Sequence, residues 1–90
     1  MAIGVYYPVR KMTTEKYNAI NDQLEGAGQG SPEGRTFHCA FHTEDGIHVF
    51  DVWDSEEALN AFSEKLIPLL EAQDVHPGEP RVMPVERLIT

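Results

Sequence analysis

The sequence predicts an α+β fold: a four-stranded antiparallel sheet carrying two helices on one face. Three observations lead there. The periodic segments run β-α-β-β-α-β, the two middle strands flank a short Glu44-Asp45-Gly46 turn, and 90 residues make one domain, residues 1–90. Right-handed crossovers without knots then favour strand order 4-1-3-2, the ferredoxin-like sandwich.

Each element has a local cause. In "AIGVYYPV", Ile3, Val5, Tyr7 and Val9 alternate with Ala2, Gly4 and Tyr6, as a strand requires, and Pro8 marks its fraying end. Thr13 or Thr14 caps a helix that runs to about Leu24, with Tyr17, Ile20 and Leu24 on one stripe. Gly26 and Gly28 stop it and open the Gly-rich connector "EGAGQGSPEG" at 25–34. Arg35 to Thr43 and Ile47 to Trp53 form a β-hairpin, because Asp-Gly sits between two β-rich runs.

The second helix follows directly, with Asp54 and Glu57 in capping-box-like spacing. Leu59, Phe62, Leu66, Leu69 and Leu70 form its apolar stripe, and Pro68 is expected to kink or restart it. Arg81 to Ile89 read as the last strand, with Pro84 suited to an edge.

Fifteen acidic against seven basic residues leave a formal charge of −8, which repels phosphate backbones and anionic membranes. Neither nucleic acid nor a membrane is an expected partner. A single cysteine, Cys39, permits no internal disulfide and reads as a reduced, buried thiol. The N-terminal stretch has its basic residues after a short apolar run, the reverse of a secretory signal, so a soluble, cytoplasmic protein is expected. A domain this small buries only about two-thirds of its unfolded surface, and a second subunit would add to that.

The histidine strand "RTFHCAF", the segment "GIHVFDVWDSEEALNAF", "LIPLLEA" and the terminal "PRVMPVERLI" carry a resemblance. Over nearly all its secondary structure the chain resembles the dimeric α/β-barrel superfamily, the small proteins related to antibiotic-biosynthesis monooxygenases. The resemblance implies a homodimer in which two sheets face each other, with a cavity in each protomer. It also implies cofactor-independent oxygenase or isomerase chemistry, in which a deprotonated substrate supplies electrons to oxygen without flavin or metal.

"RTFHCAFHTEDGIHVFDVWDS" gathers three of the four histidines, the cysteine and the tryptophan. Pairing Thr43 with His48 and Phe41 with Phe50 collects Phe37, Cys39, Phe41, Phe50 and Val52 on one face, apolar enough to be expected under the helices. His38, Ala40, His42, Ile47, Val49, Asp51 and Trp53 then lie on the other, with His38 opposite Trp53 and Asp51 diagonal to His38 and His42. That mixture, mostly apolar with a few directional polar groups, suits a small-molecule site.

The histidines do not read as a metal site. On a helix, H-x-x-x-H converges on one ion, whereas on a strand the same spacing separates the rings by about 13 Å. His48 points to the opposite face, and no set of three ligands is apparent, so no metal is expected, and the resemblance implies that no cofactor is needed. General acid–base chemistry is the better reading: His38 as base, with Asp51 fixing its tautomer. Tyr6, His42, Val49 and Trp53 are the expected substrate-binding residues of that cavity. Cys39 reads poorly as a nucleophile, since burial disfavours its thiolate.

The expected function is a homodimeric barrel that binds a hydrophobic or aromatic metabolite, with a cofactor-independent monooxygenase or isomerase activity implied by the resemblance. The alternative is a noncatalytic ligand-binding or structural dimer whose histidines stabilise the subunit seam.

Overall fold

The computed structural model describes residues 2–76 and 78–89. Its elements are β1 (Ile3–Tyr7), α1 (Thr14–Gly26), β2 (Arg35–Thr43), β3 (Gly46–Trp53), α2 (Glu56–Ala72) and β4 (Arg81–Pro84). The strands form one antiparallel sheet in the order β2-β3-β1-β4, which is the expected 4-1-3-2 seen from the other edge.

Both helices begin where a hydroxyl can take an orphan backbone N–H. Thr13 accepts from Lys16 N and caps α1. For α2 the cap is Ser55, which accepts from Ala58 N, rather than Asp54. Pro68 does not interrupt α2. It is exposed, so the carbonyl that loses its helical donor lies on the solvent side.

Ile20 and Leu24 from α1 meet Leu59, Phe62 and Leu70 from α2 over Ile3, Val5, Tyr7, Val49 and Trp53 of the sheet. The two faces of the hairpin are thus reversed from the expectation. The helices cover the face carrying His38, Ala40, Asp51 and Trp53, while Phe37, Cys39 and Phe41 are exposed on the bare face. The reason lies in β1. Ile3, Val5 and Tyr7 pair with Trp53, Asp51 and Val49, so the most apolar side of the central strand brings the mixed hairpin face with it.

The hairpin register also differs, by two residues. Thr43 pairs with Gly46, Phe41 with His48 and His38 with Asp51. Gly46 has φ of +115°, and a Cβ there would collide with the Met12 carbonyl oxygen. Neither Glu44 nor Asp45 has positive φ. The two-residue loop therefore closes with glycine in the conformation that L side chains avoid, and strand pairing starts at Gly46 instead of His48.

The first and last strands of the chain are shorter than expected. β1 ends at Tyr7, before Pro8, and β4 ends at Pro84 instead of Ile89. Proline supplies no ladder donor, and β4 is an edge strand.

Candidate functional site

His38 and Asp51 face each other directly across β2 and β3, and His38 Nδ1 lies 2.5 Å from Asp51 Oδ1. The Asp51 side chain is 4% exposed and that of His38 24%. An ionised carboxylate only accepts, so the imidazole proton belongs on Nδ1. The Nε2 lone pair is then left to accept from the Tyr17 hydroxyl, 2.6 Å away. The two rings are parallel within 1°, their centroids 6.1 Å apart. The result is an Asp51–His38–Tyr17 line running from the sheet to α1.

This line forms part of the wall of a cavity of about 50 Å³ between sheet and helices. Met12, Ile20, Leu24, Val49, Phe62 and Leu66 supply apolar lining, and Tyr7, Asn21 and Arg35 add polar groups. The volume is that of a few waters, so a larger ligand has to move side chains as it enters. Burial, reinforced by the negative charge of Asp51, raises the Tyr7 pKa well above the ordinary tyrosine value. Burial likewise raises that of Tyr17. Both hydroxyls therefore remain protonated donors at neutral pH.

Of the expected substrate-binding residues, only Val49 joins His38 and Asp51 in the cavity wall. Trp53 is fully buried and packs on Phe62, with ring centroids 5.3 Å apart, so it supports the wall from behind. His42 is exposed near the hairpin end and outside the lining. Tyr6 is on the opposite face, where its hydroxyl lies 2.7 Å from His48 Nδ1 and its ring stacks on Phe41. Cys39 is exposed there too, instead of being buried under the helices.

The residues that sequence reasoning missed are Tyr7, Tyr17, Asn21 and Arg35. Tyr7 was legible as a member of the β1 apolar face, and Tyr17 as a polar-tipped residue on the α1 stripe. Each was absorbed into the core reading. Among the described residues, no group of three or more His, Cys, Asp or Glu side chains is placed to hold a metal ion. Nor is any described helix long and apolar enough to cross a membrane.

No protein-family model and no curated protein matches the chain. Solved structures do match. A putative antibiotic biosynthesis monooxygenase from Chloroflexus aurantiacus is 18% identical with a TM-score of 0.63, the match covering 98% of this chain and 97% of the other. SnoaB from Streptomyces nogalater, a cofactor-independent oxygenase, is 13% identical with a TM-score of 0.59, over 98% and 93% of the two chains. The structural-genomics protein YJCS is 15% identical with a TM-score of 0.67, over 96% and 100%. The fold is thus that of the antibiotic-biosynthesis-monooxygenase-like proteins, as the sequence resemblance implied.

Proposed function

We propose that the cavity under α1 and α2 binds a small hydrophobic or aromatic metabolite and that His38, oriented by Asp51, removes a proton from it. The observation that carries this reading is the Asp51–His38–Tyr17 line set in the wall of an apolar cavity. His38 Nε2 is the only nitrogen of the ring left to receive a proton. A ligand reaches it either by displacing the Tyr17 hydroxyl or by giving its proton to the Tyr17 oxygen as Tyr17 gives its own to Nε2.

The fold shared with SnoaB favours oxygenase chemistry as the sequel. Removal of a proton from an activated CH₂ group leaves a carbanion, which passes one electron to O₂. The radical pair combines into a peroxide anion, and protonation followed by loss of water gives C=O. The sum is CH₂ + O₂ → C=O + H₂O, with the substrate supplying all the electrons. Return of the proton to a different carbon, without O₂, is the isomerase variant of the same first step.

The chain is read as a single domain over residues 1–90, acting as a homodimer through its bare sheet face. Phe37 (37% exposed), Phe41 (38%) and Met83 (44%) share that face with Tyr6 and Cys39. Such a contiguous apolar patch, rimmed by polar residues, is typical of an interface.

Oxygen uptake against a panel of small aromatic and polyketide-like compounds, with Trp53 emission as the binding signal, tests the proposal. The expected result is uptake in the wild type, reduced about 10²-fold or more in His38→Ala. Unchanged turnover in that variant removes the base assignment. The small cavity volume favours a second reading, a noncatalytic dimer in which the line only ties α1 to the sheet. Absence of any binding across the panel would support it.

A further inference from the structure

Arg35 reaches the cavity only because β2 carries a bulge. Regular alternation from His38 would place Arg35 on the bare face with Phe37, Cys39 and Phe41. The ladder instead shifts between Arg35 and Phe37, so that Phe37 pairs with Val52 and Arg35 with Trp53. Directly paired residues share a face, and Trp53 is on the helix side. The extra residue, Thr36, thus turns Arg35 to the side of His38, where it lines the same cavity.

Among the described residues no carboxylate pairs directly with this cation. The guanidinium carbon lies 5.8 Å from the Phe62 ring centroid, and Nη2 donates to the Gly30 carbonyl at 3.0 Å. No salt bridge among the described residues includes Arg35, although the chain has fifteen Asp and Glu. Asp51, the acid in the same cavity wall, is engaged by His38 instead. A guanidinium offers five donors in a planar fork suited to a carboxylate, and this one lies over the Phe62 ring.

We infer that the cavity selects a small apolar acid, its carboxylate held by Arg35 and its hydrocarbon part inserted among Met12, Val49, Phe62 and Leu66. The inference rests on the reading of the cavity as a ligand site and names the class of ligand.

Two matched pairs of probes test it: benzoate against benzamide, and 3-methylbutanoate against 3-methylbutanamide. Dissociation constants are measured by NMR titration of the folded protein. The wild type is expected to bind each acid about tenfold or more tightly than its amide, the loss typical of removing a charged hydrogen bond. Arg35→Gln should bring the ratio near one with amide binding kept, and Arg35→Lys should lower it several-fold, since an ammonium cannot make the forked contact.

Equal wild-type affinity for acid and amide overturns the role of Arg35 while leaving the cavity reading intact. A preference that survives unchanged in Arg35→Lys and Arg35→Gln does the same. If no acid or amide binds the wild type, the cavity reading fails and takes this inference with it.

Discussion

His38 and Asp51 are direct cross-strand partners, 2.5 Å apart from Nδ1 to Oδ1, with Asp51 almost entirely out of water. A buried carboxylate in this position sets where the neutral imidazole carries its proton. Asp51→Asn should therefore destroy the single tautomer. Ring ¹⁵N shifts of His38 are expected to report the Nδ1–H form in the wild type and a mixture in the variant. The same change should lower stability by about 1–3 kcal/mol in urea denaturation, as expected for loss of a charge-assisted bond.

Tyr17→Phe removes the donor to Nε2 and leaves Asp51 in place. Stability should fall by about 1 kcal/mol, the net worth of a typical hydrogen bond. The Nε2 resonance should move while the proton stays on Nδ1. A switch to the Nε2–H form would show that Tyr17, and not Asp51, selects the tautomer.

Tyr7 gives the protein an alkaline liability. Its folded pKa is raised, chiefly by burial and secondly by Asp51, above the ordinary value of 10.0. Above that pH the unfolded chain gives up the proton while the folded one keeps it, so unfolding releases protons and stability falls as pH rises. Urea midpoints should drop from about pH 10 upward. Tyr7→Phe should flatten that decline, with Tyr17 supplying a weaker remainder of the same sign.

The bare face makes a prediction of its own. Phe41 is exposed there, stacked on Tyr6 at 6.2 Å between ring centroids. Phe41→Glu would place a charge in the middle of the proposed subunit contact. Sedimentation should show a dimer for the wild type and a folded monomer for the variant; an unchanged dimer would place the interface elsewhere.

Gly46→Ala tests the turn. The added Cβ would collide with the Met12 carbonyl oxygen, and φ of +115° is strained for any L side chain. A loss of roughly 1–3 kcal/mol in a denaturant titration is expected. Met12 O also accepts from Ile47 N, so its strand-side bond should weaken, visible as faster exchange of the Ile47 amide.

What the amino-acid order determined was the set of elements and their sequence along the chain. Alternation in Ile3, Val5 and Tyr7, the Tyr17–Ile20–Leu24 stripe, the Asp-Gly turn and the leucines of α2 are local patterns, and each produced its element. The pattern also determined that His38 and Asp51 share a face, because a two-residue change of register preserves parity.

Tertiary structure decided everything that depended on a choice between two similar faces. Both sides of the hairpin are apolar enough to be buried, and only pairing with β1 selected the His38 side for the helices. That choice brought His38 to Tyr17 and Tyr7 instead of Tyr6, and left Phe37, Phe41 and Cys39 outside. The conformation of Gly46 placed His38 directly opposite Asp51, and the bulge at Thr36 turned Arg35 inward. Neither follows from alternation, since each is a departure from it that forms only when a particular pair of strands meets.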